Sequence, residues 1–293
     1  TLLAIDQEGG RVSRLESWVG PTPTAAELSA AGAAVCEQFG RATARALRAI
    51  GFNLDFAPVV DVCGTEALNG IADRSFGTDP ERVSELAGSF LDGLREEGLA
   101  GCLKHFPGLG ETCVDSHVEL PTAHRSRRQL DEVELLPFRR LASRAPAVMI
   151  SHAHYPALDP APPLPATLSA EIVGGLLRER IGFDGLVVSD DLEMGAVAPL
   201  DEDGEAAVRS IEAGCDLLLY CASLQRAACA RAKLAARAAA DPAFAIRLQE
   251  AAGRVRRTAA RWPAFPGNAA AFDPARSDLQ RLSRAAVSSD RRP

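Results

Sequence analysis

The residues best suited to chemistry lie in one stretch, KHFPGLGETCVDSHVELP, which runs from Lys104 to Pro121. Within it, Asp115 stands two residues before His117. A carboxylate that accepts one ring N–H fixes the histidine tautomer and raises the basicity of the other nitrogen, which suits a proton donor and acceptor near neutral pH. Because an isolated Asp-x-His tripeptide is also typical of a polar surface loop, the rest of the chain has to decide between the two interpretations.

The elements that would hold this stretch can be read from the hydrophobic pattern. The apolar run 98–103 predicts a strand with Lys104 and His105 at its carboxyl end, and Pro107 with the glycines after it predicts a loop. Six strand-like segments alternate along the chain with segments of helical periodicity. The strands are predicted at 2–5, 52–60, 99–103, 147–151, 185–189 and 215–220, and the helices at 25–50, 80–97, 127–144, 170–181, 205–213 and 224–240.

Alternating apolar strands and amphipathic helices predict an α/β fold with a parallel sheet, either open or closed into a barrel. Polar residues at or just beyond the carboxyl ends of five of these strands favour the barrel, because a barrel gathers all strand ends on one face. They are Asp6, Arg14, Asp55, Asp61, Arg74, Lys104, His105, His152, His154, Asp190 and Asp191.

The composition limits the classes of ligand and the cell compartment that can be expected. The net charge of −7 gives no electrostatic reason to expect nucleic acid or an anionic membrane as a partner, so a small or neutral ligand is expected. Seven cysteines without a Cys-x-x-Cys motif favour reduced thiols and a cytoplasmic location. No apolar run approaches the roughly 18 residues of a membrane span.

Five motifs together resemble glycoside hydrolase family 3, and within it the bacterial β-N-acetylglucosaminidases of the NagZ type. They are DQEGGRVSRL at 6–15, GFNLDFAPVVDV at 51–62, DRSFGTDP at 73–80, KHFPGLGETCVDSH at 104–117 and GFDGLVVSDDLEM at 182–194. Each motif alone is weak, but all five occur in the order and spacing of the family.

The resemblance implies a (β/α)₈ TIM-type barrel that performs retaining hydrolysis without a cofactor or metal. It assigns the nucleophile to Asp190 and the proton donor to His117, with Asp115 as its partner, in place of the usual second carboxylic acid. It assigns recognition of the sugar and its N-acetyl group to Asp6, Arg14, Arg74, Lys104 and His105. The implied reaction is the release of terminal β-linked N-acetylglucosamine from cell-wall fragments, as in peptidoglycan recycling in the cytoplasm.

The chain departs from the family pattern at three positions. Leu109 replaces the second histidine of the usual KHFPGHG loop, which predicts altered affinity for the sugar and not inactivity. Cys63 stands in place of a common asparagine, and Glu193 in place of a small residue. These two changes bear on the detailed sugar specificity.

Several alternatives stay open from the residues alone. Phosphate could replace water as the second acceptor, because a histidine that has given up its proton is neutral and does not repel an anion. A sugar-binding barrel without catalysis is an alternative from another class. Asp191 reads as a structural acceptor beside the nucleophile. His152 and His154 could bind a metal only with a third ligand, and otherwise line the cleft or hold loops by hydrogen bonds.

The sequence pattern predicts one catalytic barrel over residues 1–265 and a tail or linker over residues 266–293, with a helix at 276–287. Only six strands can be read, whereas the implied barrel has eight. Two βα units, about 50 to 60 residues at the usual unit length, are therefore expected upstream of Thr1. Without them, the strand at 2–5 would have an open edge and the 293-residue chain would tend to aggregate.

Overall fold

The computed structural model describes residues 1–67, 70–112, 119–160 and 162–289. Its strands in chain order are β1 (Ala4–Ile5), β2 (Gln7–Gly9), β3 (Val12–Ser13), β4 (Leu54–Asp55), β5 (Ala100–Phe106), β6 (Ala147–Ile150), β7 (Leu186–Asp191) and β8 (Leu217–Leu219). Over these ranges, six strands form one sheet in the order β1-β4-β5-β6-β7-β8, with every neighbouring pair parallel. Strands β2 and β3 form a separate antiparallel hairpin.

Helices connect the strands of the sheet. They are α1 (Glu16–Val19), α2 (Ala25–Ala31), α3 (Ala33–Ala49), α4 (Pro80–Glu96), α5 (Arg127–Gln129), α6 (Leu135–Leu141), α7 (Glu205–Ala213), α8 (Leu224–Ala240), α9 (Pro242–Arg261) and α10 (Ala269–Ser289). Two wider π-helical segments lie at Leu130–Glu134 and Glu171–Arg180, and short 3₁₀ turns at Ala72–Arg74, Ala166–Leu168, Ala198–Leu200 and Glu202–Gly204. Among the described helices, none combines the length and the apolar character that a membrane-spanning segment needs.

The α/β class and the six predicted strands are confirmed. The sheet does not close within the described ranges, because β1 and β8 are its two outer strands and each pairs on one side only. The described residues therefore form six strands of the expected eight-stranded barrel. The expectation of two further βα units stays a prediction. The predicted helix over 25–50 is interrupted at Gly32, whose φ of 94° ends α2 and starts α3.

The two faces of the sheet pack differently. On one face, side chains from β4 to β7 meet in a single apolar cluster, as expected for the concave side of a half-barrel. On the other face, the larger core packs the sheet against the helices. Helices α3 and α4 approach closely because both carry glycines at the contact: a Cβ on Gly93 would lie 2.2 Å from the Glu37 carbonyl oxygen.

Helix α9 crosses the amino ends of the strands. Its Val255 and the following Trp262 pack against the concave cluster, and the Trp262 carbonyl accepts a hydrogen bond of 2.7 Å from Asn53 Nδ2. Asp216, just before β8, is buried and pairs with Arg247 of the same helix at 2.9 Å. This end of the sheet is thus covered, which leaves the opposite end for a site.

Helix α10 begins earlier than the predicted helix at 276–287 and packs against α3. Leu279 on α10 is completely buried, so this segment adds to the core of the described fold. The division into a barrel at 1–265 and a tail at 266–293 stays a prediction.

Candidate active site

A cleft of about 390 Å³ opens at the carboxyl ends of the strands. Its size falls in the usual range for small-molecule sites. Charged side chains line it from the hairpin and its two flanking residues, from the 3₁₀ turn at Ala72–Arg74, and from β5 and β7. They are Asp6, Glu8, Arg11, Arg14, Arg74, Lys104, His105, Asp190 and Asp191, and the apolar residues beside them include Leu109, Met149, Met194 and Leu219. The predicted gathering of strand-end residues on one face is confirmed for this set.

The β2–β3 hairpin projects Glu8 and Arg14 into the cleft. Gly9 and Gly10 make its turn with φ of 104° and 52°, and a Cβ on Gly9 would lie 2.4 Å from the Pro23 carbonyl oxygen. Buried Gln7 fixes the returning strand, because its Oε1 accepts hydrogen bonds from the Arg14 and Leu15 amides at 2.8 and 3.1 Å. The two glycines therefore form the tight turn of this hairpin.

Glu8 joins two of the predicted sugar-binding cations. Its carboxylate lies 2.5 Å from Lys104 Nζ and accepts hydrogen bonds from Arg74 Nε and Nη2 at 2.7 and 2.8 Å. Burial raises the pKa of Glu8, but the two cations outweigh burial and lower it to about 2. The same carboxylate raises the pKa of Lys104 and of Arg74 against the effect of burial. All three groups are consequently ionised at neutral pH.

Lys104 also holds Asp6. Its Nζ donates to Asp6 Oδ1 at 2.7 Å; the Lys104 side chain is 2% exposed, whereas that of Asp6 is 38% exposed. Asp6 therefore keeps acceptor capacity toward the cleft. Arg14 has no ion pair with any residue that the structure describes, so its guanidinium is available to a ligand.

His105 is held from behind by Asp61. The imidazole Nδ1 lies 2.6 Å from Asp61 Oδ2, while Asp61 Oδ1 accepts hydrogen bonds from the His105 and Leu109 amides at 3.3 and 2.7 Å. A carboxylate only accepts, so Nδ1 carries the hydrogen and Nε2 points toward Arg74 Nη2 at 3.4 Å. This arrangement fixes both the ring of His105 and the start of the loop after β5.

Asp190 lies near the end of β7 with its side chain in the cleft. Burial raises its pKa, but His152, His105, the Asp191 amide and Lys104 together outweigh burial and lower it. The Asp191 amide donates to Asp190 Oδ1 at 2.8 Å. The carboxylate is thus ionised at neutral pH and held by a backbone hydrogen bond, as a nucleophile requires.

Asp191 has a structural task beside it. Its Oδ1 accepts hydrogen bonds from the Glu193 and Cys221 amides at 3.1 and 3.2 Å, which ties the end of β7 to the residues after β8. The interpretation of Asp191 as a structural acceptor therefore agrees with its contacts.

The remaining predicted residues separate into two groups. Asp55, Asp61, His152 and His154 are buried behind the cleft and hold backbone or loops instead of lining it. His117 and Asp115 lie in the stretch 113–118, outside the described residues. Among those that are described, no group of three or more histidines, cysteines or carboxylates is placed to hold a metal ion.

Comparison with known proteins decides the family. Residues 1–258 match the family described as glycosyl hydrolase family 3 N terminal domain. The chain belongs to this family.

Two named beta-hexosaminidases are similar to this family 3 chain. The one from Alkalilimnicola ehrlichii is 41% identical over 228 residues, covering 75% of this chain and 64% of its own length. The one from Methylococcus capsulatus is 38% identical over 261 residues, which cover 87% of this chain and 76% of the relative's own length. The chain thus spans less than two thirds of the Alkalilimnicola relative. A family 3 beta-N-acetylglucosaminidase from Paenibacillus superposes with a TM-score of 0.86 at 36% identity, covering 97% of this chain and 56% of that one.

The three departures from the family 3 motifs have different surroundings. Leu109 is 4% exposed and lines the cleft, so this change alters the cleft wall. Glu193 accepts hydrogen bonds from the Ala222 and Ser223 amides at 2.7 and 3.1 Å, which fastens the loop before α8. Cys63 is buried, and its amide donates to the Gly77 carbonyl at 3.1 Å. Of the three, Leu109 is the one that touches the cleft.

Sequence reasoning did not single out Glu8 for a role. A signal was present, since Glu8 stands two residues after Asp6 and opens the Glu-Gly-Gly turn. Its two cationic partners, however, are 66 and about 96 positions away in the chain, and only the fold brings them together.

Proposed function

We propose that this protein is a retaining exo-β-N-acetylglucosaminidase. One observation carries the proposal: an ionised, backbone-held Asp190 lies in a cleft whose other charged groups are fixed by mutual ion pairs. A retaining glycosidase needs such a carboxylate, because the nucleophile must be unprotonated and aimed at the anomeric carbon.

In the proposed reaction, an Asp190 oxygen attacks the anomeric carbon and forms a glycosyl ester while the bond to the leaving oxygen breaks. His117, with Asp115 as its partner, gives its proton to that oxygen. In the second step, neutral His117 takes a proton from water, which attacks the anomeric carbon and releases Asp190. Two inversions at one carbon retain the β configuration.

The cleft is suited to a neutral sugar. Asp6 offers carboxylate oxygens to hydroxyl donors, and Arg14 offers N–H groups to hydroxyl or carbonyl acceptors. Lys104, Arg74 and Glu8 compensate one another, so they supply directed hydrogen bonds without a large net charge. The names of the relatives, beta-hexosaminidase and beta-N-acetylglucosaminidase, support N-acetylglucosamine as the terminal sugar. We further propose that its substrates are cell-wall fragments and that it acts in the cytoplasm.

The test is release of nitrophenol from a nitrophenyl N-acetyl-β-glucosaminide by the purified protein, with the matching glucoside as the comparison substrate. The Asp190→Asn variant should lose turnover while still binding N-acetylglucosamine, because the amide keeps the shape but not the nucleophile. Asp184→Asn is the matched control, since that side chain is 93% exposed.

Two results would contradict the proposal. Turnover of Asp190→Asn close to the unaltered protein would remove the covalent route, and binding without turnover in the unaltered protein would favour a sugar-binding barrel. Repeating the assay with inorganic phosphate separates hydrolysis from phosphorolysis, because only phosphorolysis yields a sugar phosphate.

A further inference from the structure

A completely buried histidine lies directly behind the end of β7. His152 follows β6, and both of its ring nitrogens have partners: Nδ1 lies 2.7 Å from Thr167 Oγ1 and Nε2 lies 3.0 Å from the Asp191 carbonyl oxygen. The ring does not line the cleft. The function proposed above gives it no task, although its second partner is the residue next to Asp190.

The partners of His152 determine where its hydrogen lies. A carbonyl oxygen only accepts, so Nε2 must carry the hydrogen that it donates to Asp191. Burial lowers the pKa of His152, although Asp190 and Asp191 oppose this effect. The other ring nitrogen, Nδ1, lies 2.7 Å from Thr167 Oγ1, and that hydroxyl also has the Ser151 carbonyl oxygen as an acceptor at 2.9 Å. Thr167 therefore holds the ring at Nδ1 while Nε2 donates to the Asp191 carbonyl oxygen.

Asp191 connects His152 to the nucleophile Asp190 by hydrogen bonds. Its carbonyl is held by His152, its side chain by the Glu193 and Cys221 amides, and its own amide donates to Asp190 Oδ1 at 2.8 Å. With the carbonyl and the side chain both fixed, the direction of that amide is fixed as well. A continuous set of hydrogen bonds therefore runs from Thr167 through His152 and Asp191 to the Asp190 carboxylate.

We propose, resting on the function proposed above, that His152 is a positioning residue that aims the Asp190 carboxylate by donating its Nε2 hydrogen to the Asp191 carbonyl. The role depends on one hydrogen-bond donor and not on a charge. A displacement of a reacting group by about 1 Å can cost on the order of 100-fold in rate. Loss of the donor should therefore lower the rate of attack and leave sugar binding unchanged.

The test compares two replacements of the same residue. His152→Gln keeps an N–H donor at about the place of Nε2, whereas His152→Leu fills the space without one. On an activated nitrophenyl N-acetyl-β-glucosaminide, His152→Leu should lower kcat about 100-fold with KM unchanged, and His152→Gln should stay within about tenfold of the unaltered protein. His124→Gln, at an exposed histidine, is the control and should have no effect.

A second pair of variants tests the contact at Nδ1 and provides the test if the His152→Leu variant fails to fold. Thr167→Val removes the hydroxyl and should lower kcat about tenfold, while Thr167→Ser keeps the hydroxyl and should restore it. Equal losses in His152→Gln and His152→Leu, or losses carried by KM, would overturn the positioning role.

A measurement without substrate separates this inference from the proposed function. In the unaltered protein with ¹⁵N-labelled histidine, NMR should show a hydrogen on Nε2 of His152. A Nδ1–H tautomer would overturn the inference whatever the activity. Absence of turnover in the unaltered protein, with the Nε2 hydrogen observed, would instead count against the proposed function alone.

Discussion

Replacing Glu8 with glutamine perturbs the central ion-pair cluster of the cleft with little change of shape. The Glu8 side chain is 7% exposed and contacts both Lys104 and Arg74. Glutamine keeps one oxygen acceptor but removes the negative charge, so that two buried cations face each other with Asp6 as the remaining counter-charge of Lys104. Removing one partner of a buried ion pair is strongly destabilising, since it leaves the other charge uncompensated.

The magnitude follows from the pKa of Glu8, which the cluster lowers from 4.5 to about 2. At about 1.4 kcal/mol per pH unit, this difference corresponds to about 3 kcal/mol of folding free energy at neutral pH. Because the folded-state pKa is the lower one, the contribution is complete above the unfolded-state pKa. It is lost as the pH falls from about 4.5 toward about 2.

Urea unfolding of both proteins at neutral pH and near pH 3 measures this contribution. Glu8→Gln should lower the free energy of unfolding by about 3 kcal/mol at neutral pH, and the difference between the two proteins should shrink by about half near pH 3. Glu132→Gln, which removes an exposed pair with Arg128, is the control and should cost less than about 1 kcal/mol. A Glu8→Gln effect that is equally small, or that does not change with pH, would refute the reasoning.

Two further substitutions and one labelling experiment test other parts of the structure. Asp61→Asn should lower turnover at least about tenfold and cost about 2 kcal/mol of stability, because one amide oxygen cannot serve both His105 and the Leu109 amide; unchanged turnover would contradict this. Leu109→His should lower KM about two- to tenfold by adding one hydrogen bond to the sugar, with kcat unchanged, and an effect on kcat alone would be evidence against it. Thiol labelling of the native protein should spare Cys36 and Cys63, since burial raises the pKa of each thiol to about 12, and labelling of either before unfolding would show that the packing around it is wrong.

The strand ends were predictable because they depend on local pattern. A parallel sheet places every carboxyl end on one side, so Asp6, Lys104 and Asp190 could be assigned to a common face without knowledge of any contact. The helical segments followed from their periodicity for the same reason. The break at Gly32 did not, since the apolar spacing continues through it while its backbone takes a φ of 94°.

The parts that could not be predicted depend on contacts between distant residues. Glu8 gains its role from Lys104 and Arg74, Asp61 from His105, and His152 from Asp191 and Thr167. None of these pairs has a spacing that a periodic pattern could reveal. The placement of α9 across the amino ends of the strands is of the same kind, because its amphipathic sequence shows that one face is buried but not against what.

The most direct test of the central claim is to identify the residue that becomes covalently glycosylated. In a His117→Ala variant, an activated nitrophenyl N-acetyl-β-glucosaminide should still react in the first step, since its leaving group needs no proton, whereas breakdown of the glycosyl-enzyme should be slow. Peptide mass spectrometry of the reacted variant should then find N-acetylglucosamine on Asp190. A sugar on Asp191, or no adduct while the first step proceeds, would contradict the assignment of Asp190 as the nucleophile.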